Sequence, residues 1–204
     1  MAEFQYQPSR LALINVDMQS VFVHGSPISA PDGLAVLEKV NLISAQCRSS
    51  GATVIHTRHV IRPDGSNIGV MGALMPNVCD GFMNRDQERT ELYSDLDVQT
   101  NDIVVEKPRF GAFTHTDLDL VLRTKGIDTV AVTGIATNIC CETTAREAYA
   151  LNYKVLFIED ATCTFDMEGS TAAELQKATC SSLAFGFAEV VSSEYFCQEL
   201  DQAV

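Results

Sequence analysis

The sequence predicts an α/β fold, a doubly wound, six-stranded, mainly parallel sheet in a three-layer α/β/α sandwich. Three observations predict it. Short, nearly all-apolar runs recur along the chain, as strands buried on both faces should read. Stretches with apolar residues at helical spacing separate most of them, the alternation of a parallel sheet with crossover helices. Gly and Pro punctuate the joins.

Residues 1–10 form a lead-in, with Pro8 limiting any helix. Leu11 to Val16 (LALINV) is the first strand, ending at Asp17-Met18-Gln19. A loop over 21–32, with Gly25, Pro27 and Pro31, leads to Asp32, a plausible N-cap. A helix then runs from Gly33 to about Ser50, and Gly51 ends it. Ala52 to Thr57 is the second strand, with Arg58 and His59 at its end. From Ile61 to about Asn101 periodicity is weak and Gly, Pro, Asn and Asp are frequent. This reads as an extended excursion with short helical pieces, one near 69–74, and such long irregular regions are usually functional or interfacial. Ile103 to Glu106 is the third strand, ending at Lys107-Pro108, and 116–125 is helical with Gly126 as its stop. Thr129 to Thr133 is the fourth strand, followed by a helix from about Asn138 to Leu151. Lys154 to Ile158 is the fifth, with Glu159-Asp160 at its end. A helix over 167–185 and a short strand over 189–192 complete the pattern.

The chain has 204 residues, a length that suits one domain with a substantial core. No stretch approaches the roughly 18 apolar residues of a membrane span, and MAEFQYQPSR lacks a signal-peptide core, so the cytoplasm is the expected location. Fourteen basic against 27 acidic residues give a net charge of −13, which argues against nucleic acid and anionic membrane as partners. Cysteines 47, 79, 140, 141, 163, 180 and 197 are scattered without C-x-x-C spacing, so neither a disulfide framework nor a zinc site is expected. Neither a G-x-G-x-x-G after the first strand nor a G-x-x-x-x-G-K-[ST] is present, which disfavours dinucleotide and P-loop functions.

In a doubly wound sheet, ligands bind beyond the carboxyl ends of the strands, so the polar residues there carry the functional argument. They are Asp17, Arg58 and His59, Lys107, and Cys140 in the segment TVAVTGIATNICCETTAREAY. That segment reads as a buried strand, a tight turn and a helix N-terminus. A thiol in the first helical turn feels the positive end of the helix dipole, which favours the thiolate. The free N–H groups of that turn can bind an oxyanion. Asp17 can accept the thiol proton, and Lys107 can hold the carboxylate ionised, so the implied chemistry is acyl transfer through a thioester. Taken singly, Asp17 also reads as a turn residue and Lys107 as a surface lysine.

These residues resemble the isochorismatase-like cysteine hydrolases. The matching pieces are Asp17-Met18-Gln19, Glu106-Lys107-Pro108-Arg109-Phe110 with Phe113 and Thr116-Asp117-Leu118, Gly134-Ile135-Ala136-Thr137-Asn138-Ile139-Cys140-Cys141-Glu142-Thr143-Thr144-Ala145-Arg146, and Asp160-Ala161. The resemblance spans residues 10 to 192 and implies a single hydrolase domain over 1–204. It further implies an Asp-Lys-Cys triad of Asp17 as base, Lys107 as support and Cys140 as nucleophile. A non-proline cis peptide is expected at Ile135–Ala136, with the N–H groups of Ala136 and Cys140 as oxyanion hole. Assembly as a homodimer or homotetramer is expected. Adjacent helical positions lie about 100° apart, so Cys141 is expected to pack rather than react.

Nicotinamidases of this family bind a metal through an Asp-x-His pair after the second strand. Here the residues are Thr57-Arg58-His59-Val60-Ile61, and His56 and His59 point to opposite strand faces, so no metal or other cofactor is expected. True isochorismatases lack the cysteine, so its presence favours a small amide, ureide or carbamoyl substrate, with ureidoacrylate and biuret amidohydrolases nearest in motif. Vinyl-ether cleavage and a catalytically silent scaffold are the alternatives. Phe22, Arg109, Phe110, Phe113, His115, Ile135 and Thr137 are the candidate substrate-binding residues. Arg109 suits a substrate carboxylate or the surface, the phenylalanines a pocket wall or the core, and His115 substrate or a helix cap. His59 suits a role in ordering the loop or in touching substrate.

Overall fold

The computed structural model describes residues 4–203; residues 1–3 of the lead-in and residue 204 lie outside the described residues. Six parallel strands form one sheet: β1 Leu11–Val16, β2 Thr53–His59, β3 Ile103–Lys107, β4 Thr129–Ile135, β5 Lys154–Cys163 and β6 Glu189–Val191. Their order is β3-β2-β1-β4-β5-β6, so strand order reverses between β1 and β4. The helices are α1 Ser20–Val23, α2 Gly33–Ser49, α3 Met71–Leu74, α4 Pro76–Cys79, α5 Leu118–Thr124, α6 Glu142–Ala150, α7 Ala172–Gly186 and α8 Ser193–Gln202.

Alternation along β1 shows how the layers are built. Ala12, Ile14 and Val16 pack with Leu118 and Leu122 of α5, Ala145 and Ala148 of α6 and Leu183 of α7. Leu11 and Leu13 pack on the other face with Ile43 and Cys47 of α2 and Phe196 and Leu200 of α8. Successive side chains of a strand point to opposite faces, so one apolar run supplies both cores.

Several bounds differ from the sequence reading. Strand β2 continues through Arg58 and His59 because it pairs with β3 as far as His59–Lys107. Strand β5 runs on to Cys163 through an irregularity in its pairing with β4 between Val132 and Gly134. Asp160 therefore lies inside β5 rather than after it, and binds Lys39 Nζ at 2.6 Å and Ser193 N at 2.6 Å, tying α2 and α8 together. Asp32 sits at the N-cap of α2 but makes no side-chain cap bond. Helix α7 begins at Ala172 rather than 167, where Thr171 and Glu174 form a capping box. Helix α8 was not anticipated. In the excursion, α3 falls at Met71–Leu74, close to the expected piece.

Candidate active site

Asp17 and Cys140 follow β1 and β4, the two strands that flank the reversal of strand order. The carboxyl ends of these strands are in register, Val16 opposite Gly134. An open α/β sheet binds its ligand at such a crevice. Gly134, at φ 113°, is required here, since a Cβ would lie 2.0 Å from Val16 O. The next peptide, Ile135–Ala136, is cis, as the resemblance implies. Thr137–Cys141 then form a π-helical turn that runs into α6, with Cys141 N bonded to Ala136 O at 3.1 Å.

Asp17 leaves β1 with φ 50°, a conformation uncommon for a residue other than glycine. Strand alternation alone would send it with Asn15 toward α2. Its side chain instead joins Thr57, which shares a strand face with Ile55 of the α5–α6 core. Thr57 Oγ1 donates to Asp17 Oδ1 at 2.6 Å and accepts from Asp17 N at 3.1 Å. Lys107 Nζ lies 2.7 Å from Asp17 Oδ2 and donates to the carbonyls of Arg109 at 3.0 Å and Phe110 at 2.8 Å. Two ammonium protons thus have carbonyl acceptors, and the charge faces the Asp17 carboxylate. Both side chains are 0% exposed. Burial alone would favour a neutral lysine, but the Asp17 carboxylate outweighs it and holds the Lys107 ammonium above its ordinary range.

Cys140 is 5% exposed and faces both members of the pair. Burial pushes its thiol up to about 12; Lys107 and the Ala136 N–H pull it down, while Asp17 pushes it further up. Burial thus moves the thiol in the direction opposite to that of the helix dipole, since taking a sulfur anion out of water costs more than Lys107 and the Ala136 N–H return. Cys141 is fully buried, with its thiol 3.7 Å from Thr133 O, and packs as expected.

The candidate substrate-binding residues divide. Ile135 is buried, and Phe22 packs against the cluster that holds Ile135, Ala136 and Met18. Phe110 lies beside His59, ring centroids 5.8 Å apart. Arg109 and His115 line a cavity of about 340 Å³ with Arg62, Asn67 and Arg85. Lys107 borders this cavity but Asp17 and Cys140 do not, so it is a cleft beside the reactive cluster rather than the cluster's own pocket. Arg109 donates to Asn67 O at 2.9 Å and Pro108 O at 2.6 Å, which fastens the excursion to the end of β3. Two further candidates are engaged within the protein. The Phe113 ring packs on Tyr153 in the core at 5.8 Å, because Glu147 holds the Phe113 amide at 2.9 Å. The Thr137 hydroxyl donates to Gln176 of α7.

Two residues that are neither candidate catalytic nor candidate substrate-binding residues shape the site, Gln19 and the strand-end His59. Gln19 is fully buried; its amide donates to His59 O at 3.2 Å and Thr90 O at 2.6 Å, and accepts from His59 N at 2.7 Å. It locks the ends of β1 and β2 to the end of the excursion. His59 contacts Lys107 O at 3.2 Å through Nδ1, and burial followed by the Lys107 charge lowers its pKa to about 4, so the ring is neutral. Their signal in the sequence was position, since each follows or ends a strand at the sheet edge that carries Asp17. Among the described residues, no group of three or more His, Cys, Asp or Glu is placed to hold a metal ion.

A three-layer α/β sheet with a cysteine, a carboxylate and a lysine gathered at its reversal point defines a class of hydrolase architecture. The chain belongs to the isochorismatase family, whose domain matches residues 11–194. It is 35% identical to nicotinamidase 3 of Arabidopsis thaliana over 90% of this chain and 85% of that protein. It is 30% identical to the ureidoacrylate amidohydrolase RutB of Klebsiella pneumoniae over 97% of this chain and 90% of that protein. The crystal structure of a cysteine hydrolase from Pseudomonas syringae pv. phaseolicola superposes with a TM-score of 0.93 at 32% identity, covering 99% of this chain and 97% of the other.

Proposed function

We propose that this protein is a cysteine amidohydrolase that cleaves the C–N bond of a small amide, ureide or carbamoyl compound without a metal. The observation that carries the reading is the Lys107–Asp17 ion pair at 2.7 Å, fully buried and near enough to Cys140 for both charges to act on its thiol. Burying such a pair is costly, and its placement on a nucleophile explains what the pair is for.

In this reading Asp17 takes the proton from Cys140 Sγ as the sulfur attacks the substrate carbonyl carbon. Holding the thiol neutral until substrate arrives avoids a buried sulfur anion; the proton transfer and the carbon–sulfur bond develop together. The N–H groups of Ala136 and Cys140 receive the oxyanion, and the Ala136 N–H already favours negative charge on the sulfur. Collapse breaks the C–N bond, and the leaving nitrogen takes the proton from Asp17. Asp17 then removes a proton from water, which attacks the thioester; the acid departs and Cys140 regains its proton. Lys107 keeps its charge throughout and offsets the negative charge that moves between carboxylate and sulfur.

The named activities of two relatives, nicotinamidase and ureidoacrylate amidohydrolase, support a C–N substrate over a vinyl ether. An ammonia-release screen over small amides, ureides and biuret, with isochorismate assayed beside it, tests the reading. Cys140→Ala should release no ammonia from any of them. Retained hydrolysis in that variant, or turnover of isochorismate alone, would overturn the proposal.

A further inference from the structure

We infer that Thr57 is a positioning residue that selects Asp17 Oδ2 as the atom receiving the Cys140 proton, an inference that rests on the cysteine hydrolase reading above. Thr57 is fully buried on β2, on the same strand face as Ile55. Its hydroxyl is committed twice to one residue. It donates to Asp17 Oδ1 at 2.6 Å and accepts the Asp17 N–H at 3.1 Å.

The two bonds do different things. The bond from the amide to Oγ1 holds the backbone where Asp17 adopts φ 50°, the turn that moves its side chain off the α2 face. The bond from Oγ1 occupies Oδ1 and fixes the rotation of the carboxylate. Oδ2 is then directed at Lys107, 2.7 Å away, and apart from that ion pair no hydrogen-bond donor among the described residues reaches it. The group left to act at Oδ2 is the Cys140 thiol, which the carboxylate already influences. A hydroxyl has one proton, so Thr57 cannot serve both oxygens. Without it, the carboxylate is free to rotate and to offer Lys107 and Cys140 either oxygen at poorer angles. Thr57 has no contact with the reacting carbon in this arrangement; it acts through Asp17.

The test compares Thr57→Val, which keeps the shape and loses the hydroxyl, with Thr57→Ser, which keeps the hydroxyl. The best amide from the screen supplies kcat and KM. Alkylation of Cys140 by iodoacetamide, read by peptide mass spectrometry against the more exposed Cys197, supplies a second readout that needs no substrate. Thr57→Val should lower kcat by about ten- to a hundredfold with KM unchanged, the scale expected on losing a hydrogen bond to a charged group. It should slow Cys140 alkylation in parallel, and Thr57→Ser should recover both. Should Thr57→Val fail to fold by circular dichroism, Thr57→Ala is read in the same way. Wild-type kcat and alkylation in the valine variant, a change confined to KM, or a serine variant as impaired as valine would each overturn the inference. Failure of the amidohydrolase reading is distinct, since it shows as hydrolysis surviving Cys140→Ala.

Discussion

Asp17, Lys107 and Cys140 form one electrostatic unit, and the lysine shows its strength. Lys107 is among the largest fully buried side chains of the described residues, and its charge is tolerated because Asp17 and two carbonyls surround it. Removing one partner of a buried pair strands the other, at a cost of about 3–5 kcal/mol. Lys107→Met should therefore lose about that much stability in urea denaturation, and adding Asp17→Asn should recover part of it; a single variant as stable as wild type would contradict the burial. His59 gives a pH dependence. Its pKa falls from the ordinary 6.5 to about 4, so between those values the unfolded chain binds a proton that the folded ring refuses. Stability from His59 is complete above pH 6.5, declines as pH falls toward 4 and then levels, a total on the order of 3 kcal/mol. His56, also lowered by burial, acts in the same direction. Denaturation midpoints followed across this window should show the fall, and His59→Gln should flatten its larger share; an unchanged slope would assign the fall elsewhere. The thiol could not be read correctly from sequence. A cysteine near a helix start argues for a thiolate, but burial pushes the thiol the other way, and burial follows from tertiary packing that a sequence pattern does not show.

At the scale of elements, the tight join of β1 to β4 depends on Gly134. Its φ of 113°, and the 2.0 Å that would separate an added Cβ from Val16 O, leave no room for alanine, because the obstacle is backbone of a paired strand. Gly134→Ala should abolish the soluble folded protein or displace Ile135–Ala136 enough to remove activity, which expression yield and circular dichroism will show. Normal stability with full activity would contradict the geometry. The Thr171–Glu174 capping box should contribute to α7, and Thr171→Ala should cost about 1 kcal/mol in thermal or urea unfolding. The strands were legible because each is a short apolar run between polar joins. Helix α8 carried a readable signal as well, Ser192 as N-cap with Phe196 and Leu200 four apart, but it lies beyond the stretch where motif and strand pattern drew attention. The run-on of β5 to Cys163 was not legible, because its irregular pairing with β4 allows Glu159 and Asp160 inside a strand.

Across the whole molecule, the reversal of strand order gathers residues that are more than a hundred positions apart in sequence. Beneath it lies a second buried polar network on the α2 face. Asn15 donates to Ser44 Oγ at 2.9 Å and contacts His56 Nδ1 at 3.3 Å, Thr133 donates to Asn15 at 2.7 Å, and His56 reaches Asp102, which Arg48 also binds at 2.6 Å. This network spans β4, β1, β2 and the chain just before β3, and so braces from behind the strands that carry the site. The strand ends bearing Asp17, Lys107 and Cys140 were legible because convergence at one sheet edge follows from the fold class alone. The excursion over 61–101 was not, since its contacts run through single residues such as Gln19 and Arg109 that no periodicity marks. Among the described residues no helix is long and apolar enough to cross a membrane. The homodimer or homotetramer that the resemblance implies is checked by light scattering, where a monomer mass would contradict it.

The measurement closest to the central claim is mass spectrometry of the enzyme quenched in acid during turnover of its best amide. The account predicts an added acyl group on the peptide that carries Cys140, absent in Cys140→Ala and in Asp17→Asn. Turnover with no adduct on Cys140, or an adduct carried by another residue, would contradict it.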